Sequence, residues 1–273
     1  RYLAQRDWEK YFTVVNWDQR LCGKTLQINA DKQTELAATV TLEQLIEDTR
    51  EICDYLRAKY HQDKIFILGH SWGSVLGSMF ARQYPDRVRA YVGVGQVVNM
   101  RRNEELGYQK VLQKARIAGA DHDVQTLLAL TPYPTAEFGQ EMMDKMMTVR
   151  RLQRKYCLAS PITLKDLWQM ATTPDVSLNE LPVYFKMDFQ IQLPLLKELM
   201  DFNLEALDSH YAVPVYYLLG DHDWQTPYPI AEAYFAKIEA DRKQLMLIPN
   251  AGHNTMTDQP EYFLNALRTV LLA

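Results

Sequence analysis

The stretch that decides the fold is Lys64-Ile65-Phe66-Ile67-Leu68-Gly69-His70-Ser71-Trp72-Gly73-Ser74-Val75-Leu76-Gly77-Ser78-Met79-Phe80. Ile65 to Leu68 make a short apolar run of strand character, which drives into Gly69-His70-Ser71-Trp72-Gly73. Small residues follow at Gly73, Ser74, Gly77 and Ser78, on the first turns of a predicted helix. A strand, a G-x-S-x-G turn and a helix in that order make a nucleophile elbow. Such a turn must strain Ser71 so that its hydroxyl stands above the sheet edge. Gly69 and Gly73 let strand and helix pass closely without Cβ clashes. The helix N-terminus aims free N–H groups and a positive dipole end at the same point, which favours an oxyanion.

Outward from the elbow, strands and helices alternate. Residues 1–10 have the pattern of a helix end, and Tyr11 to Trp17 predicts a buried strand. Thr41-Leu42-Glu43-Gln44 is a capping box that opens a helix to about Tyr60, with Leu42, Leu45, Ile46, Ile52, Tyr55 and Leu56 as its buried stripe. Pro85 stops the helix over 72–84, and Val88 to Val98 predicts the next strand. This spacing implies a parallel sheet with right-handed crossovers.

From Asn99 to about His210 the pattern turns helical, Met-rich and charged. Helices are expected over 104–119 and 138–158, with breaks at Pro132, Pro134 and Pro161 and a further capping box at Ser177 to Glu180. Met142, Met143, Met146 and Met147 have the character of core filling, with an adaptable binding groove as the alternative. The sheet resumes with strands at Val213–Leu219 and Gln244–Ile248 around a helix over 229–240. Asp258-Gln259-Pro260-Glu261 is expected to cap a last helix that turns Phe263, Leu264, Leu267 and Leu271 inward. The expected organisation is an α/β core over residues 1–98 and 211–273, interrupted by a helical cap over 99–210.

Composition narrows the function. The 273 residues are 47% hydrophobic and 23% charged with a net charge of −4, which gives no footprint for nucleic acid or an anionic membrane. No apolar run has the roughly 18–20 residues of a membrane span. Cys22, Cys53 and Cys157 have neither disulfide nor metal-ligand spacing, as for thiols of a reducing compartment, and a cytoplasmic location is expected. The triplets Asp121-His122-Asp123 and Asp221-His222-Asp223 invite a metal reading. No further ligands stand at metal spacing, so neither a metal nor a cofactor is expected.

Acyl transfer by a serine needs a base for the hydroxyl proton and a carboxylate that holds the base. Ser71 is the candidate nucleophile. Asp223 lies four residues beyond the predicted strand 213–219, and His253 lies between the last strand and the last helix. All three fall in loops at the C-terminal ends of parallel strands, where α/β sheets gather their sites. Asp221 is the rival acid, and the spacing favours Asp223. His222 is expected in the pocket or at the surface. His70 is expected to point away from the reacting centre and to pack or hydrogen-bond beneath the elbow. Asp18 and Arg20 are expected in an ion pair or a loop-shaping network. Trp224 and Tyr228 stand beside the acid and are candidate substrate-pocket residues.

With Asp18-Gln19-Arg20, Gly69-His70-Ser71-Trp72-Gly73-Ser74, Gly220-x-x-Asp223 and Gly252-His253 together, the chain resembles the α/β-hydrolase superfamily. Val15-Asn16-Trp17-Asp18-Gln19-Arg20 joined to Ser71-Trp72-Gly73-Ser74 resembles its proline iminopeptidase branch over residues 11–98 and 213–273. The order Ser71, Asp223, His253 is that superfamily's order. The resemblance implies one oxyanion N–H from Trp72 and a second from a His-Gly-Gly-Pro-Gly loop, which has no counterpart after Arg1. On that reading the sequence is a fragment or processed product, completed by an upstream segment or a second chain.

Leu21 and His70 replace glycines of the branch, and Thr25 replaces a serine. The acidic segment that would recognise a substrate amine is not recognisable. Leu181 to Phe185 keeps only an aromatic pair, with Glu137, Glu141, Glu180 and Asp188 as possible substitutes. The expected activity is a serine hydrolase that releases an N-terminal proline or similar small residue from a peptide or amide. An esterase or lactonase on small hydrophobic acyl groups is the alternative, and a catalytically weak ligand-binding protein is the alternative of another class.

Overall fold

The computed structural model describes residues 3–160 and 189–272. Among the described residues the sheet has four parallel strands, β1 (Ile65–His70), β2 (Val88–Val94), β3 (Val215–Gly220) and β4 (Lys243–Ile248), side by side in chain order. The register pairs His70 with Val94, Val94 with Leu218 and Gly220 with Ile248. The strands therefore end at one level, and the loops leaving β1, β3 and β4 meet there.

The described helices before β3 are α1 (Gly23–Ile28), α2 (Gln33–Ala37), α3 (Leu42–Tyr60), α4 (Trp72–Gln83), α5 (Met100–Ile117), α6 (Asp121–Leu128), α7 (Gln140–Lys155) and α8 (Phe189–Met200). After β3 come α9 (Tyr228–Lys237), α10 (Thr255–Asp258) and α11 (Pro260–Leu272). Successive strand side chains leave opposite faces, so the sheet has two cores. Tyr91 and Tyr217 point toward α3, α4 and α9, where Leu45, Ile46, Val75, Phe80, Ile230 and Tyr234 pack. Val92 and Leu218 point the other way, onto Phe263, Ala266, Leu267 and Val270 of α11. Trp8 closes that side by stacking on Phe263 at 5.3 Å.

Local chemistry sets the element ends. Thr41 caps α3 by accepting from Gln44 N at 3.2 Å, as the capping box requires, and His61 ends it in the left-handed region. Cys53 takes the buried place expected of Tyr55, which is 62% exposed. Asn99 caps α5 by accepting from Arg102 N, so that helix starts four residues earlier than its apolar pattern. The strand after α4 stops at Val94 because Gly95 turns to φ +52.

One expected strand does not form. Tyr11 to Trp17 lies outside the sheet, with a turn at Tyr11, a bend at Phe12 and no regular secondary structure beyond them. Its alternation is real, since Phe12 and Val14 pack beside Phe66 and Leu68 while Val15 faces solvent. Apolar alternation puts one face on a core, but a strand also needs ladder hydrogen bonds, and this segment makes none to the β1-β2-β3-β4 sheet. The expected helix over residues 1–10 is two short 3-10 turns, Leu3–Arg6 and Trp8–Lys10.

Every described helix between β2 and β3 belongs to the Met-rich stretch. Met142 is fully buried, and Met143 and Met146 pack with Phe138 and Met200, whereas Met147 is exposed. The capping box at 177–180, the aromatic pair at 184–185 and Asp188 lie outside the described residues.

Candidate active site

Ser71 sits between β1 and α4 at φ +54 and ψ −121, a conformation that L-residues avoid. Its N–H donates to Val94 O at 3.0 Å, and its carbonyl accepts from Ser74 N and Ser74 Oγ. Gly69 is required here, because a Cβ would lie 2.3 Å from Gly73 O. Gly73 has open space where its Cβ would be, so its small size is not demanded in the way the sequence implied. Ser71 holds the strained turn from which a hydroxyl stands clear of the sheet, half-buried at the mouth of α4. Trp72 opens α4, where a backbone N–H has no partner one turn back. Its indole donates to Gln19 Oε1 at 3.1 Å.

Asp223 and His253 come together from the ends of β3 and β4. His253 Nδ1 is 2.9 Å from Asp223 Oδ2, and both side chains are buried. The Asp223 carboxylate also accepts from Gln225 N, from Thr226 N and, at 2.7 Å, from Thr226 Oγ1. Burial alone would raise its pKa. The His253 charge and these hydrogen bonds outweigh burial and hold it below the usual carboxylate range. An ionised Asp223 only accepts, so His253 carries its proton on Nδ1 and leaves Nε2 as the basic nitrogen. Among the described residues the Ser71 hydroxyl makes no hydrogen bond to that nitrogen, a looseness common before substrate arrives.

The rivals separate cleanly. Asp221 turns to His222, 2.7 Å from its Nδ1, and His222 is 54% exposed. Arg20 grips Asp48 with two nitrogens, at 2.6 and 2.9 Å, and donates to Thr39. Asp18 accepts from Lys24 N at 2.8 Å. The two residues shape the loop with separate partners. Leu21 holds φ +56 where the resembled motif has glycine. Trp224 and Tyr228 meet edge-on at 5.8 Å, and Lys110 lies 4.3 Å over the Trp224 ring. No metal-binding group of His, Cys, Asp and Glu occurs among the described residues.

Four contributors escaped the sequence reading. Thr226 braces the acid, and its hydroxyl lies 3.2 Å from His253 Nδ1. Gly95 leaves room for the base, since a Cβ there would come within 3.1 Å of the imidazole. Ser160 and Asp258 clamp the base loop: Ser160 Oγ donates to Asp258 and accepts from Asn254 N, while Gly252 N donates to Asp258. Asp258 is thus turned to the loop, and Gln259 O accepts the Phe263 N–H that opens α11. The signal for Gly95 was a glycine at a strand exit; Thr226, Ser160 and Asp258 had none apart from the fold. His70 packs and hydrogen-bonds as expected, but toward the base and not away from it: its ring lies against His253, with centroids 4.9 Å apart.

A family model described as alpha/beta hydrolase fold matches residues 12–260. A Bacillus subtilis (strain 168) protein named "Probable aminopeptidase YbaC" is 28% identical over 278 residues, 96% of this chain and 81% of its own. A proline iminopeptidase of Chitinophaga pinensis is 21% identical over 209 residues, 77% of this chain and 66% of its own. A proline iminopeptidase-related protein of Thermus thermophilus shares the fold at TM-score 0.59 and 20% identity, over 98% of this chain and 82% of its own.

Proposed function

The chain belongs to the alpha/beta hydrolase fold family, and from that membership we propose that it is a serine hydrolase working through Ser71, His253 and Asp223. The observation that carries the reading is the buried His253–Asp223 pair, tied through His70 to the position just before the strained Ser71. In the reaction Ser71 Oγ forms a bond to the acyl carbon as its proton passes to His253 Nε2. Asp223 stabilises the imidazolium. The Trp72 N–H and the α4 terminus face the oxyanion. His253 then gives the proton to the leaving nitrogen or oxygen, and the acyl–Ser71 ester is hydrolysed by water in the reverse order. No step calls for a cofactor.

The substrate we propose is a small peptide or amide with a free N-terminus, proline or a similar small residue. The resemblance of the Asp18-Gln19-Arg20 and Ser71-Trp72-Gly73-Ser74 motifs supports this, as do the names of the relatives. The stretch from 99 to 210 would act as the cap that covers the site, and Trp224 with Tyr228 would line the acyl pocket. A specific observation favours an esterase as the second reading. Glu137 and Glu141, two carboxylates considered for the substrate amine, face solvent, and Glu141 pairs with Lys145.

A paired rate assay separates the readings, with Ser71→Ala as control. One substrate is a prolyl arylamide with a free amine, the other a short-chain aryl ester. Arylamide cleavage that disappears in the variant, and on acylating the substrate amine, supports the aminopeptidase. Ester turnover alone supports the esterase. Absence of Ser71-dependent turnover of either overturns both.

A further inference from the structure

We propose that His70 is a positioning residue for His253, holding the base loop by its main chain and backing the imidazole with its own ring. The proposal rests on the triad reading and adds a residue to it. His70 Nε2 lies 2.8 Å from the His253 carbonyl oxygen. A carbonyl only accepts, so His70 carries its proton on Nε2 and donates. The two rings face each other at 4.9 Å with a 40° tilt.

The His253 ring is thereby bounded on three sides: His70, the Cβ-less Gly95, and the Thr226 hydroxyl with Asp223. Ser160 and Asp258 tie the chain on either side of His253, at Asn254 N and Gly252 N. His70 is the tie made at His253 itself. It is also joined to Ser71 by one peptide bond, so a shift of the elbow carries the base with it.

Charge agrees with this geometry. A cation on His70 would oppose the imidazolium that His253 must become. Burial first, and the His253 charge second, push the His70 pKa down to about 4, while the bond to the His253 carbonyl and the Asp223 charge oppose the shift. His70 is thus a neutral donor near neutral pH. A satisfied core histidine would make the same hydrogen bond without affecting the base, and the experiment separates the two.

The test compares His70→Phe, which keeps a ring and loses the donor, with His70→Gln, whose amide nitrogen falls where Nε2 stood. Active sites are counted with a fluorophosphonate, and ¹⁵N-histidine spectra follow His253 Nδ1–H on the same samples. The proposal expects His70→Phe to lose tenfold to hundredfold in kcat per counted site with KM within threefold. The Nδ1–H resonance broadens in that variant, and His70→Gln restores both. It expects wild-type His70 to stay neutral, protonated on Nε2, down to about pH 5. Unchanged kcat and resonance in His70→Phe, failure of a folded His70→Gln to restore them, or His70 titrating near an ordinary histidine value overturns it. The spectra read the link between the two histidines without turnover. A wild type that shows the link but never reacts at Ser71 refutes the triad reading while supporting the positioning.

Discussion

Asp223, at the end of β3, and Glu104, on α5, are both carboxylates shut away from water, and their company differs. Asp223 faces His253, a group that gains and loses a proton. Glu104 faces Arg150 and the Tyr133 hydroxyl, and Arg150 is steadied by Gln153. A guanidinium stays charged at any working pH, so the second pair is closed on itself. Burial of a charge marks a costly feature in either region. The partner's ability to titrate marks which region does chemistry.

The sharpest way to break this contrast is to neutralise each acid in turn. Asp223→Asn keeps the shape but lets His253 hold the wrong tautomer, and kcat should fall about 10⁴-fold with little loss of folding. Glu104→Gln should do the opposite. It leaves the Arg150 charge buried without its counter-charge, and should cost about 3–5 kcal/mol in urea unfolding while kcat per active site stays within threefold. Equal losses of activity in the two variants would dissolve the distinction.

Acidification probes the same contrast through stability. His70 has a folded pKa of about 4 against 6.5 unfolded, so between those values the unfolded chain binds the proton that the folded chain refuses. Stability should therefore fall as pH drops from about 6.5 to 4, by up to about 3 kcal/mol, and His70→Gln should remove that slope. Asp223, with a depressed folded pKa, adds its loss only below the unfolded value of 3.8. Urea midpoints from pH 7 to 3 measure both. Two smaller effects refine the picture. Gly95→Ala crowds His253 at a positive φ and should lower kcat about tenfold. Tyr133→Phe removes one hydroxyl from the closed network and should cost about 1 kcal/mol with no change in kcat.

Much of this was legible from residues alone, for a physical reason. The elbow, the α3 cap and the loop positions of Asp223 and His253 depend on local chemistry: a glycine beside a tight turn, a threonine before a helix, a polar group after an apolar strand. Tyr11–Trp17 shows the limit. Its alternation reports a half-buried face, but pairing depends on a neighbour that no local pattern specifies. The same holds for Thr226, Gly95 and the Ser160–Asp258 clamp, whose roles arise only when β2, β3 and β4 end at one level. For His70 the packing and hydrogen bonding were legible but the direction was not, because its contact depends on where the β4 exit loop returns.

Everything above turns on Ser71 being activated by His253 held on Asp223. Its most direct test is the rate of fluorophosphonate labelling, with the modified residue located by peptide mass. One adduct is expected, on Ser71, formed at least 10³-fold more slowly in His253→Ala. An adduct elsewhere, or Ser71 labelling as fast without His253, would contradict it.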